Sequence, residues 1–329
     1  MRPEQRLARL KPLVALAFAL SGCGALATTP SEPQSRADLN FELATSVVQS
    51  SSSAVANGFP VQAGDWPSLI IATYTLAPPL QMRSFTCTAV LVGPNVALMA
   101  AHCVDPKRRG PAFALLKANL KVGGRWIPYR CEIHPDYLKQ PLKGLSPRGS
   151  QDFALCILLD AGELPEVLKT MRFEVVEAQE PLKQGAAVLM TGYGCERLSI
   201  VDGLLQANRA DGVLRLGDAR IHTAPPGVAG QLAYATIHSQ VDVQPALCPG
   251  DSGGPLLSGA TARDADQQRR VRGVNSSVGV QGQTLVSSIA ATGTPTFREW
   301  AQDWIKRNQA EKAQVCGLNV PAGHRQCRN

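Results

Sequence analysis

The chain has 329 residues, 44% hydrophobic, 18% charged and 5% aromatic. That apolar content excludes a largely disordered chain and supplies enough side chains for a sizeable core. No apolar run reaches the ~20 residues that a membrane-spanning helix needs. The formal charge of +7 is partly a front-end effect, because Arg2, Arg6, Arg9 and Lys11 face only Glu4 there. What remains is weak and scattered, which argues against a nucleic-acid partner. Nine cysteines suggest an oxidising compartment.

The basic start leads into a short apolar segment, Leu13 to Leu20, followed by Ser21-Gly22-Cys23. A charged start, a short apolar core and small residues predict an export signal over residues 1–22. Leu20-Ser21-Gly22-Cys23 resembles the bacterial lipobox, in which the cysteine is lipidated and becomes the mature N-terminus. Removing Cys23 from the count leaves eight cysteines, an even number. The rival is ordinary cleavage after Ala25-Leu26-Ala27, and both readings export the protein. A lipid on Cys23 would place it in the bacterial cell envelope, outer membrane or periplasm, with the lipid as its only membrane contact. Residues 23–54 read as a flexible tether or propeptide: Thr28 to Pro33 and the run Ser50 to Ser53 have no sustained period. Phe41-Glu42-Leu43 and Val47-Val48 interrupt it with apolar side chains that could pack on the domain.

From Val55 onward, short β-rich runs alternate with Gly and Pro. Ser68 to Thr75, Cys87 to Val92, Val96 to Ala100, Phe153 to Leu159, Ala186 to Thr191 and Val271 to Asn275 predict strands of an all-β sandwich or barrel. One helix stands out near the end. Thr296 and Glu299 fit a capping box, and Phe297, Trp300, Ala301, Trp304 and Ile305 form a helical apolar stripe.

Three segments carry chemistry. Cys248-Pro249-Gly250-Asp251-Ser252-Gly253-Gly254-Pro255 sets a serine in a glycine-rich turn, Ala100-Ala101-His102-Cys103 follows one strand-like run, and Gln151-Asp152 opens another. Serine needs an imidazole to accept its proton, and the imidazole needs a carboxylate to fix its tautomer. Glycines beside the serine let backbone N–H groups converge on a developing oxyanion. Alone, the histidine reads as structural and the aspartate as a solvated turn residue; six fixed residues around the serine do not.

Together these segments resemble the trypsin/chymotrypsin family of serine endopeptidases, over about Val55 to Ile305. Asn57-Gly58 with Gly64-Asp65-Trp66-Pro67 resembles the family's mature start, and Gly192-Tyr193-Gly194 its Gly-Trp-Gly turn. The resemblance implies two six-stranded antiparallel β-barrels with a C-terminal α-helix. It implies His102 as general base, Asp152 as its carboxylate, Ser252 as nucleophile, and the N–H groups of Gly250 and Ser252 as oxyanion hole. It implies a bridge between Cys87 and Cys103. Cys248 lacks the downstream partner that many relatives have, which turns the expectation to Cys195. Cys131 with Cys156, and Cys316 with Cys327, complete four bridges by proximity and elimination, with other connectivities open beyond the first pair. It also implies activation when a new N-terminus at Val55 pairs with Asp251, and a cut there would separate the domain from Cys23.

Ala246 stands where trypsin-like relatives carry an acidic residue, and Leu247 follows it. The specificity wall becomes Ser276-Ser277-Val278, with the alignment open by one residue. Ala246, Leu247, Ser277 and Val278 thus predict a cleft for small or apolar side chains. The expected function is an exported serine endopeptidase acting on proteins or peptides, without cofactor or metal. The alternatives are a protease-like binding module that does not cut, or a mostly inactive zymogen. His134, His222, His238 and His324 show no metal-ligand spacing, Lys139, Lys143 and Arg148 read as a solvated loop, and residues 306–329 form an extension without a functional reading.

Overall fold

The computed structural model describes residues 37–43, 55–61, 63–76, 86–105, 117–122, 125–138, 151–159, 164–208, 210, 212–225, 234–265 and 268–328. The export signal, Cys23 and the loop bearing Lys139, Lys143 and Arg148 lie outside them. Two β-sheets and a C-terminal helix organise the rest.

The first sheet is a closed barrel of seven strands in the order β1-β3-β4-β5-β8-β7-β6. These are β1 (Ala37–Leu43), β3 (Leu69–Leu76), β4 (Thr86–Gly93), β5 (Val96–Met99), β6 (Lys117–Val122), β7 (Arg125–Ile133) and β8 (Ala154–Leu158). β5 and β8 are apolar along their length, β4 is apolar apart from Thr86 and Thr88, and all three are buried on both faces, since the barrel interior lies on one side and packed structure on the other.

The expectation of six strands here, and of a flexible tether through residue 54, needs correction. β1 comes from the tether and lies between β3 and β6, antiparallel to the first and parallel to the second. Leu39, Phe41 and Leu43 alternate with Asp38, Asn40 and Glu42, so one face enters the core and the other meets water. Burial of three large apolar side chains, with hydrogen bonding along both strand edges, supplies what the polar flanks lack.

The second sheet has the order β14-β17-β16-β15-β10-β13-β2, with β9 against β16. Its strands are β2 (Phe59–Pro60), β9 (Val175–Val176), β10 (Ala187–Gly192), β13 (Arg215–Arg220), β14 (Ala235–Gln240), β15 (Pro255–Ser258), β16 (Arg270–Gln281) and β17 (Thr284–Ala291). A separate hairpin joins β11 (Leu198–Val201) to β12 (Leu204–Ala207).

Among the described residues, three short α-helices precede the long one: α1 (Ala101–Val104), α2 (Pro135–Leu138) and α3 (Glu166–Thr170). The long one, α4 (Pro295–Arg307), buries Phe297, Trp300, Ala301, Trp304 and Ile305, as its stripe predicts. Its cap is Thr294, not Thr296: the Thr294 hydroxyl accepts from the Phe297 N–H at 3.2 Å. Pro295 then takes the first helical position, where its fixed φ suits the helix and its missing N–H is not needed.

The extension beyond α4 is ordered. Cys316 N–H donates to Val92 O at 2.7 Å, Val176 N–H to Cys316 O at 2.8 Å, and Phe173 N–H to Gln326 O at 2.8 Å. It binds both the barrel and the segment that runs into the second sheet.

Candidate active site

β5 and β8 are antiparallel neighbours with Met99 opposite Ala154. His102 follows the first strand by three residues and Asp152 precedes the second by two, so both emerge at the same end of the barrel. His102 Nδ1 lies 2.7 Å from Asp152 Oδ2, and the His102 backbone N–H donates to Asp152 Oδ1 at 2.9 Å. From the second sheet, the Ser276 hydroxyl donates to Asp152 Oδ2 at 2.5 Å. The Asp152 side chain is wholly buried. Burial pushes its carboxyl up, but His102 and the hydrogen bonds from His102 and Ser276 outweigh that and hold it below its ordinary value. A charged carboxylate therefore sits beneath the imidazole. Of the two candidate serines, Ser276 is the one that reaches Asp152; Ser277 and Val278 follow it on β16, both half-buried.

The serine turn is held from three directions. Gly250 and Gly253 have φ of +108° and +87°, a left-handed backbone that side chains disfavour. Asp251, fully buried, accepts from Gly194 N–H on Oδ1 and from Cys248 N–H on Oδ2, each at 2.8 Å. A Cβ on Gly192 or Gly194 would strike that carboxylate, which explains both glycines of the Gly-Tyr-Gly turn. Burial drives the Asp251 pKa up to about 7 despite these two N–H groups and the Arg215 cation. The third hold is Thr88. Its backbone N–H donates to Ser252 O at 2.7 Å, and its hydroxyl donates to Gly250 O at 2.9 Å while accepting from Tyr193 N–H at 3.0 Å. Among the described residues, the N–H groups of Gly250 and Ser252 donate to no protein acceptor.

Ala246 and Leu247 are buried just upstream. Leu247 N–H donates to the Ser287 hydroxyl at 3.0 Å, and Ser287 pairs with Val278 across β16 and β17. The groups packed together here are small or aliphatic and carry no charge. Ala246 N–H donates to Ala56 O at 3.1 Å, which fixes the segment beginning at Val55 against the same wall. Val55 is completely buried in a cluster with Val188, Met190, Leu247 and Leu256.

Four disulfides join Cys87 to Cys103, Cys131 to Cys156, Cys195 to Cys248 and Cys316 to Cys327. The first fixes α1 to β4. Cys87, His102 and Cys103 cluster tightly, yet two of their three donor atoms are committed to that bridge and offer no thiolate. Away from the site, His222 and His238 stack face to face with ring centroids 3.6 Å apart. His134 is buried against Trp300, with ring centroids 5.0 Å apart. Thr88, Asn275 and Arg215 were not foreseen from sequence. Asn275 donates from Nδ2 to Thr191 O at 2.8 Å, and its carbonyl accepts from Gly253 N–H at 2.8 Å.

This geometry, a buried carboxylate under an imidazole with a glycine-strained serine turn nearby, fits a hydrolase of the serine class. The trypsin family model matches residues 55–301, and the chain belongs to that family, a serine endopeptidase. No curated protein matches the sequence significantly. Among solved structures, a thermostable serine protease, AL20, from an extremophilic microorganism is similar at 15% identity and a TM-score of 0.48, over 76% of this chain and 99% of that one. Four disulfides in such a fold indicate an exported protein. No helix among the described residues is long and apolar enough to cross a membrane.

Proposed function

We propose that His102, Asp152 and Ser252 form the catalytic triad of a peptide-bond hydrolase working through an acyl-enzyme. The observation that carries this reading is the 2.7 Å contact between His102 Nδ1 and Asp152 Oδ2, next to a serine turn whose two N–H groups are uncommitted. With Nδ1 protonated and directed at the carboxylate, Nε2 is free to take the proton from the Ser252 hydroxyl. The serine oxygen attacks the scissile carbonyl, and the carbonyl oxygen becomes an oxyanion received by the N–H groups of Gly250 and Ser252. One such donor is worth roughly 3–4 kcal/mol of barrier. His102 then passes its proton to the leaving amine, and water repeats the sequence on the ester. Asp152 keeps its charge throughout and stabilises the imidazolium.

Ala246, Leu247, Val278 and Ser287 support a preference for small or aliphatic side chains on the acyl side of the bond. Among the described residues, none of these four supplies a carboxylate to a lysine or arginine there, and a cation buried without one costs several kcal/mol. In the same reading the chain is exported, lipidated on Cys23 and switched on by a cut between Ala54 and Val55. The burial of Val55 beside Leu247 and Leu256, which bracket Asp251 in sequence, supports the last step.

A fluorophosphonate probe and a mixed peptide library applied to chain with a confirmed Val55 N-terminus test the reading together. Ser252 should label, Ser252→Ala should neither label nor cut, and cleavage should follow small aliphatic residues. A folded, processed enzyme that never labels would favour a binding module. Cleavage mainly after Lys or Arg would refute the pocket assignment.

A further inference from the structure

The segment ahead of Val55 does more than link. All seven residues of β1 pair with β3, from Ala37 opposite Leu76 to Leu43 opposite Ile70, and five pair with β6. Leu39 and Phe41 are completely buried, and the Phe41 ring meets Tyr129 edge-on with centroids 5.4 Å apart. On the solvent face, Asn40 Nδ2 donates to Thr75 Oγ1 at 3.2 Å, and Glu42 lies 3.8 Å from Lys121 Nζ. Because β1 sits between two neighbours, removing it would open the barrel and bare two strand edges around an apolar slot.

We propose that β1 is a built-in ligand of the barrel, so that cutting between Ala54 and Val55 yields a two-chain enzyme held by strand pairing. The proposal rests on the activation reading for the position of the cut, though not for the retention. Leu43 belongs to the barrel core, whereas Val55 belongs to a cluster of the second sheet. Each end of residues 44–54 is therefore held by its own partners, and severing the link detaches neither. Antiparallel and parallel ladders together give the kind of main-chain recognition by which sheets bind added strands.

The cut itself also suits this arrangement. Val55 has φ of +48°, a left-handed backbone that is costly for a β-branched side chain. Hydrolysis of the bond abolishes the torsion and its strain while leaving the Val55 side chain where it is. Whatever precedes β1 then stays with the enzyme. If Cys23 carries a lipid, the cut form remains anchored, and activation is separated from release.

The test uses the full-length chain with Ser252→Ala and a site for a highly specific protease replacing residues 48–53. After complete cutting, size-exclusion chromatography and native mass spectrometry should find both fragments in one 1:1 particle. The particle should separate only when circular dichroism reports unfolding. A second arm challenges the cut particle with a hundredfold excess of labelled peptide spanning residues 35–45. Incorporation should be below a tenth over a day at neutral pH, and at least tenfold greater with Phe41→Asp in the cut chain. Departure of the N-terminal fragment from a still-folded remainder would overturn the proposal, as would free exchange of the peptide. Activity is read separately on cut chain with Ser252 intact and Val55 as its new N-terminus. A retained fragment without a rise in activity refutes the activation reading alone.

Discussion

Thr88 illustrates how much of the serine turn is set by one side chain that sequence motifs pass over. Its hydroxyl bridges Gly250 O and Tyr193 N–H, and its N–H holds Ser252 O. The orientation of the peptide that ends in Gly250 O thus depends on a partner in the other sheet. Thr88→Val keeps the shape and deletes the bridge, leaving a buried N–H and a buried carbonyl unpaired at about 1–3 kcal/mol. The expected result is a kcat reduced about tenfold with KM nearly unchanged, because the damage falls on transition-state binding. Thr88→Ser should restore most of it. An unchanged kcat in a folded valine variant would show that the turn holds its shape without the hydroxyl. Ser276 is the contrasting case: its neighbourhood was readable, but two adjacent serines made the choice depend on strand register, which only the fold supplies.

At the scale of elements, legibility followed how local the causes are. The strands through Ser68, Cys87, Val96, Phe153 and Ala186 were readable because each is a short apolar run between turn residues. The reading of β16 stopped at Asn275, although the strand continues to Gln281 through a polar stretch with little β signal. β1 was missed for a different reason. Leu39, Phe41 and Leu43 do alternate, but seven residues between polar flanks become a strand only through partners some 30 and 80 positions away. The extension after α4 was opaque because its hold is likewise distant. It ends at a buried ion pair in which Arg269 Nη2 and Nε lie 2.7 and 2.9 Å from the Glu174 oxygens, the Ser68 hydroxyl donates to Glu174 at 2.7 Å, and Arg328 approaches at 3.4 Å. The Arg269 guanidinium stacks on Trp66, 3.9 Å from the ring centre. Trp66 and Ser68 lead into β3, and Arg269 leads into β16, so the pair clasps both sheets. Glu174→Gln leaves that guanidinium buried without its counter-charge, and a loss of about 3–5 kcal/mol is expected in denaturant unfolding. A loss below about 1 kcal/mol would mean that Trp66 and the surrounding carbonyls satisfy Arg269 by themselves.

At the scale of the whole molecule, Asp251 ties the serine turn to the Gly-Tyr-Gly turn of the second sheet, and its titration offers a way to follow activation without measuring catalysis. In the uncut chain burial raises this carboxyl to about 7, from 3.8 in the absence of the fold. Below pH ~4 it is neutral in both the folded and unfolded states and does not disfavour folding. As pH rises towards 7 the unfolded chain ionises first. Stability is then lost progressively, to a total on the order of 4 kcal/mol, before levelling off. A cut between Ala54 and Val55 creates an ammonium group that, placed against Asp251, favours the ionised carboxylate and removes that loss. Arg215, buried on β13, already pulls in the same direction, but not far enough to bring the group back to its ordinary range. Melting curves of the Ser252→Ala chain, cut and uncut, should therefore nearly coincide at pH 4 and separate steadily up to pH 7, the cut form being the more stable. Asp251→Asn should abolish the divergence by removing the titrating group. Parallel curves for the two forms would show that Val55 does not supply the counter-charge and that activation, if it occurs, reaches the serine turn by another route.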